Sequence, residues 1–341
     1  MKHSWRPYAA AAALLYLAGT PFALDQEWKD VRKERPLNIA GRFLQLSAGR
    51  TRFDLLGRVP SEVVVFVHGF TAPSYVWGEL PKRLRKQGYR TLVYDLFGRG
   101  FSDRPDVPYD RDLFDRQLLE LLGHLQMHKP VHLVGLSMGG IVATEFALRH
   151  PGRVASLTLI DPAGFSVDLP GPSALLAVPL LGEYLMHAFG DTFLLSANAK
   201  AVYDRSLVPS LQAKFQPQLA YTGYKRAILS TARLMPLADF TDGYRKLARR
   251  PLKVELFWGR QDQITPVAGA AIAMKLLPKA QMTLIDGAGH LSHYEKPDVV
   301  TPKLIAFLRG APAPQQQGKV FTPQSCAAGQ NSPDEHGEPV Q

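Results

Sequence analysis

Three residues, in one order along the chain, could do nucleophilic chemistry together. Ser137 lies in Gly135-Leu136-Ser137-Met138-Gly139, Asp262 in Trp258-Gly259-Arg260-Gln261-Asp262, and His290 in Asp286-Gly287-Ala288-Gly289-His290. A serine hydroxyl is a poor nucleophile at neutral pH, so an imidazole must take its proton and a carboxylate must orient that imidazole. G-x-S-x-G is the spacing of a nucleophile elbow, a sharp strand-to-helix turn that lifts the hydroxyl clear of the backbone. A Cβ at Gly135 or Gly139 would crowd the approach of strand and helix. The charge that develops on an attacked carbonyl oxygen needs donors. The N–H of Met138, opening the helix, is one, and the N–H of Phe70, after the strand that ends at His68, is the other. His68 reads as shaping that loop. Asp95, before a glycine-rich turn, reads as a loop brace. Asp161 ends the strand after the elbow, from where an acid could also reach the histidine, but Pro162 directly after it points to a structural turn. Asp262, in a turn-rich loop before a helix start, is the preferred acid.

Apolar patterning supplies the elements that must hold these groups. Residues 42–46 and 51–56 alternate apolar and polar around Ala48-Gly49, as a β-hairpin does. The runs 63–67, 91–94, 131–134, 154–160, 252–258 and 282–285 read as strands, the continuous β-branched ones as strands buried on both faces. Helices are expected over about 76–87, 111–127, 138–149, after Pro266, and 297–308. Strands alternating with helices predict an α/β fold with a mostly parallel sheet covered on both faces. In such sheets chemistry gathers beyond the carboxyl ends of the strands. His68, Asp95, Ser137, Asp161, Asp262 and His290 all follow strands. Between Asp161 and about Arg250 the alternation stops. Apolar helical pieces at 173–181 and 184–189, then amphipathic segments at 202–215 and 221–235, predict an inserted helical cap at about 165–250.

The chain has 341 residues, 46% of them hydrophobic and 21% charged, enough for one large domain with an insertion. Lys2 and Arg6 precede an uncharged apolar run from Ala9 to Gly19, so residues 1–24 read as a signal peptide or N-terminal membrane anchor. The run is short for a span, which takes about 20 residues. The expectation is export or membrane anchoring; the alternative is an apolar helix lying against a cytoplasmic fold. Residues 37–310 would form the main domain, and 311–341, rich in Pro, Gln, Gly and Ser, a disordered tail. That tail holds the only cysteine, Cys326, so no internal disulfide framework or cysteine metal site exists. No cofactor or metal is expected. The net charge of +10 lies in clusters near 29–35, 82–90 and 245–253. These lack the aromatic interleaving that would suggest nucleic acid. Attraction to an anionic membrane surface fits the N-terminal segment.

From Arg42 to Arg309 the chain resembles the α/β-hydrolase superfamily, in the branch with a serine nucleophile and a helical cap. The motifs are His68-Gly69-Phe70, the turn from Asp95 to Asp103, the elbow with Gly140 appended, Gly259-Arg260-Gln261-Asp262 and Gly289-His290. The resemblance implies an acyl-enzyme mechanism: Ser137 attacks, His290 shuttles the proton, Asp262 orients His290, and water releases the acid. The expected activity is carboxylic-ester hydrolysis, esterase- or lipase-like, on a small apolar ester. The stretch from Trp258 to Asp262 is also similar to hydrolases that cleave carbon–carbon bonds of ring-fission products. Those carry asparagine before the nucleophile and tryptophan after the histidine, where this chain has Leu136 and Leu291. A third reading is a catalytically silent ligand-binding protein on the same scaffold.

Overall fold

The computed structural model describes residues 19, 25, 27–34, 41–165, 175–176 and 178–310. The segments read as leader and tail lie outside the described residues, apart from Gly19.

Eight strands form one sheet in the order β1-β2-β4-β3-β5-β6-β7-β8. Strands β1 (Arg42–Leu46) and β2 (Gly49–Leu56) make the antiparallel hairpin, and β2 pairs antiparallel with β4 (Arg90–Tyr94). From there β3 (Val63–Val67), β5 (Val131–Leu136), β6 (Val154–Ile160), β7 (Lys253–Gly259) and β8 (Gln281–Ile285) run parallel to β4. The continuous apolar strands are those with helices on both faces. Along β3, Val65 and Val67 face one core while Val64 and Phe66 face the other, as the two-residue repeat of a strand demands.

The first face packs against α2 (Arg111–His124), α3 (Met138–Arg149), α7 (Thr241–Ala248) and α8 (Ala268–Leu276), through Phe114, Leu118, Ile141, Phe146 and Tyr244. The second packs against α1 (Leu80–Lys86) and α9 (Pro297–Leu308), through Leu84, Val300 and Leu304. Helix α2 starts where the carboxylate of Asp110 accepts the Leu113 N–H at 2.9 Å, capping a free helix amide. A 3-10 turn at Ser74–Trp77 precedes α1, so the expected helix over 76–87 begins later than read.

Between β6 and β7 the chain leaves the sheet. It builds α4 (Leu181–Lys200), α5 (Val208–Phe215) and α6 (Tyr224–Leu234). Of the two helical pieces expected at 173–181 and 184–189, the second lies within α4, which runs unbroken for 20 residues. The first runs up to the start of α4 and falls partly outside the described residues. Helix α7 lies inside the range read as cap, yet Tyr244 and Leu247 sit in the first-face core. A strap over residues 25–34 fastens to the cap. The Trp28 and Lys29 N–H groups both donate to Ala220 O, and Thr222 N–H donates to Lys29 O. The Lys225 ammonium, buried, lies 2.8 Å from Asp25 and 2.9 Å from Asp191. Among the described residues no helix is long and apolar enough to cross a membrane.

Candidate active site

Ser137 stands between β5 and α3 with φ 54° and ψ −122°, a left-handed conformation that non-glycine residues rarely adopt. Its flanking glycines permit the turn. A Cβ on Gly139 would lie 2.0 Å from Val67 O, and one on Gly135 would lie 2.4 Å from Gly139 O. The strand, the elbow and the helix therefore touch backbone to backbone. The peptide is locked from below, where Ser137 N–H donates to Ile160 O at 2.9 Å and Gly140 N–H to Ser137 O at 2.9 Å.

Asp262 follows β7 and His290 follows β8. The structure joins them: His290 Nδ1–H donates to Asp262 Oδ2 at 2.8 Å, both side chains buried. That bond leaves Nε2 as the free, proton-accepting nitrogen. Burial alone would push the imidazole down. The charge and hydrogen bond of Asp262, joined by the charge of Asp161, outweigh it and hold His290 above its ordinary value of 6.5. Asp262 is itself well seated, its Oδ1 accepting the N–H groups of Ile264 at 2.7 Å and Thr265 at 2.9 Å. Ser137 leaves from the carboxyl end of β5, in the same parallel run of strands. Its Oγ has no hydrogen bond to His290 among the described residues. In free enzymes nucleophile–base contacts are often long and tighten in the complex.

The two expected amide donors are unspent. Among the described residues neither Phe70 N–H nor Met138 N–H makes a backbone hydrogen bond outside regular elements, and Met138 opens α3, where helix amides lack partners. A Cβ on Gly69, the residue before Phe70, would lie 3.3 Å from Ser137 Cβ, so this loop passes directly over the elbow.

The residues read as structural have identifiable tasks. His68 accepts the Leu96 N–H on Nε2 at 2.9 Å and donates from Nδ1 to Gly69 O at 3.0 Å, tying the loop to the next strand end. Burial pushes it down to about 4, so it stays neutral. Asp95 accepts Ser74 N–H and Phe101 N–H, both at 3.0 Å. Asp161 does not touch His290 by hydrogen bond. It accepts Gly259 N–H at 2.7 Å and Ser292 Oγ–H at 2.6 Å, stitching the acid strand to the histidine loop. Burial, reinforced by the neighbouring charge of Asp262, raises its carboxyl well above the ordinary range.

Two contributors escaped the sequence reading. Thr265 Oγ1 lies 2.6 Å from Asp262 Oδ2 and 3.1 Å from His290 Nδ1, so it braces the acid–imidazole pair. Arg99, fully buried, donates from Nε to Phe70 O at 2.8 Å and from an NH2 group to Thr231 Oγ1 on α6 at 2.9 Å. It thereby links the Phe70 loop to the cap; burial pushes its guanidinium down to about 10. For Thr265 the only sequence signal was its place three residues after Asp262. For Arg99 it was a cation set between two glycines, Gly98 and Gly100. Opposite the Phe70 loop the cap is apolar, with Met186, Leu194, Phe215, Ile228 and Leu229 packed near Phe70, Ala72 and Tyr75. A cavity of about 310 Å³ within the cap, lined by Glu27, Glu183, Lys225 and Arg233 among others, touches none of the candidate catalytic residues. Among the described residues no group of His, Cys, Asp and Glu could hold a metal.

Residues 64–302 match the sequence model of the alpha/beta hydrolase family. A cis-3-alkyl-4-alkyloxetan-2-one decarboxylase of Xanthomonas campestris is 30% identical over 279 residues, 75% of this chain and 91% of the relative. A monoacylglycerol lipase of Homo sapiens is 27% identical over 269 residues, 74% of this chain and 76% of the relative. Among solved structures, a meta-cleavage product hydrolase of Pseudomonas fluorescens superposes with a TM-score of 0.66 at 23% identity, covering 79% of this chain and 98% of that one.

Proposed function

Because the chain belongs to the alpha/beta hydrolase family, we propose that it is a serine hydrolase of carboxylic esters with an apolar acyl portion, working through Ser137, His290 and Asp262. The observation that carries this reading is the Nδ1–Oδ2 hydrogen bond of His290 and Asp262, formed at the strand edge that also bears a serine in a left-handed elbow. In the proposed reaction His290 Nε2 takes the Ser137 proton as Oγ attacks the ester carbonyl. The N–H groups of Phe70 and Met138 receive the oxyanion. The imidazolium, stabilised by Asp262, gives its proton to the departing alcohol. Water, activated by the same nitrogen, then releases the acid. The apolar inner wall of the cap beside Phe70 supports an apolar acyl chain, because burying one there removes hydrocarbon from water.

The carbon–carbon bond reading has the stretch Trp258 to Asp262 in its favour. Against it, Leu136 and Leu291 are buried in the second-face apolar core, where the other chemistry uses polar and aromatic groups. The test is hydrolysis of p-nitrophenyl esters alongside a coloured vinylogous dienone. Ester turnover that falls roughly 10³-fold or more in Ser137→Ala, with no bleaching of the dienone, is the expected result. Equal ester rates in wild type and variant would overturn the proposal. Bleaching without ester turnover would favour the carbon–carbon reading. If a fluorophosphonate never labels Ser137, the silent binding scaffold is the better account.

A further inference from the structure

Helix α4 presents four rows of side chains along its axis. One row, Gly182, Met186, Gly190, Leu194 and Asn198, is buried against the rest of the cap. A second, Glu183, His187 and Asp191, is charged or ionisable and leans towards Arg233, Asp25 and Lys225. The two remaining rows run Leu181-Leu185-Phe189-Phe193 and Tyr184-Ala188-Thr192-Ser196, and they hold no charge until Lys200 ends the second of them in the last turn. A surface helix ordinarily turns its charged face to water. Here Phe189 is 62% exposed and Phe193 41% exposed.

The feature extends past the helix. Leu180 is 84% exposed and sits at φ 66°, a strained conformation for a leucine. Arg233 holds that conformation in place, donating to Leu176 O at 3.0 Å and Val178 O at 3.2 Å while pairing with Glu183. Trp28, on the strap, is 68% exposed. Most of the large exposed apolar side chains of the described residues are thus on the cap or its strap. Exposed apolar side chains gathered along one helix in this way mark an interaction surface.

We propose that the outward face of α4, with Leu180 and Trp28, docks in the plane of a lipid bilayer. Three observations select a bilayer over a protein partner. First, α4 is too polar overall to cross a membrane yet carries an uncharged face, which is the pattern of a helix lying in the interface. Second, the cap exposes Lys200, Arg205 and Lys214, which form no ion pair among the described residues, while its other basic residues Lys225, Arg226 and Arg233 are already paired. Those three exposed cations suit anionic headgroups. Third, the chain is delivered to the same helix. Asp25 Oδ2 is 2.6 Å from His187 Nδ1 on α4, and the residues just before it in sequence include the uncharged apolar run Ala9 to Gly19. Trp28 beside them has the amphipathic ring that favours the headgroup level.

The test uses the full chain with Cys326→Ser, so that a cysteine placed by design is the only one. An environment-sensitive fluorophore goes on Phe189→Cys, and a control on Leu56→Cys, an exposed apolar position at the end of β2. Phosphatidylcholine vesicles containing phosphatidylglycerol should blue-shift the label at 189 and leave that at 56 unchanged. The pair Phe189→Ser and Phe193→Ser should weaken vesicle partition about a hundredfold, from the lost burial of two aromatic rings. Its urea unfolding midpoint should stay that of wild type. Three results would each overturn the proposal. The protein fails to float with the vesicles. It floats while the label at 189 stays in water, so that another segment does the binding. Or the label shifts with protein concentration in the absence of lipid and a dimer sediments, making the face a contact between copies.

Discussion

At His290 burial and charge pull in opposite directions, and the sign of the result is measurable. The imidazole must be neutral to accept the Ser137 proton. Its raised value therefore places the acid limb of kcat/KM above 6.5, with activity lost as pH falls through that point. Asp262→Asn removes the larger of the two charges that raise His290, so the limb should move down in pH while kcat drops about 10⁴-fold. A pH–rate profile of both proteins with a p-nitrophenyl ester checks this; coincident limbs would count against the assignment of His290 as base. At this scale the sequence was readable where chemistry has a local signature. Ser137, Asp262 and His290 each sit in a short glycine-bearing motif. Thr265 has none, and Arg99 sits between Gly98 and Gly100 in a turn that by itself names no task for it. Their tasks exist only once the fold brings Asp262 to Thr265 Oγ1 and Phe70 O to Arg99, and Phe70 is 29 residues away along the chain.

The elbow as an element rests on contacts too close for any side chain. Gly139→Ala would drive a Cβ against the backbone carbonyl of Val67, and neither strand nor helix can retreat without breaking the sheet. The expected loss is roughly 3 kcal/mol of stability, seen as a lowered urea midpoint. Gly152→Ala, at a site with nothing within 4 Å, should stay within about 0.5 kcal/mol of wild type and serves as the control. Strands were the easiest elements to anticipate, since buried parallel strands need unbroken apolar runs. Helix α4 was harder. The expected piece covers only 184–189, yet the helix continues through Gly190, which lies on the buried row against Met186 and Lys225, where a Cβ would meet atoms at 3.5 and 3.6 Å. Packing along that seam overrides the low helix propensity of glycine. Helix α7 was missed for a related reason: Tyr244 and Leu247 find their apolar partners in the core beneath the sheet, far from their sequence neighbours.

Across the whole molecule, the strand order could not be read from local pattern, because β4 pairs with β2 and β3 through contacts between distant segments. The same long-range assembly buries Glu255 on β7, where Oε2 has no hydrogen-bond partner among the described residues. Burial, only partly countered by Lys303, pushes its carboxyl up to about 8. The folded state then holds a proton that the unfolded chain releases near 4.5. Its contribution to stability is present below that lower value and is lost as pH rises towards 8. Between about pH 5 and about pH 8 the melting temperature of wild type should fall more steeply than that of Glu255→Gln, by calorimetry. Parallel curves would show that Glu255 is ionised in the fold.

The strap has a mechanical meaning as well. Its hydrogen bonds run to Ala220 and Thr222 and its ion pair to Lys225, while β1 begins only at Arg42. A pull applied to the chain ahead of Asp25 is therefore borne by the helices above the site before any of it reaches the sheet. Were the molecule held by its leading end, it would hang from its cap, and the tension would bear first on the helices packed beside the Phe70 loop.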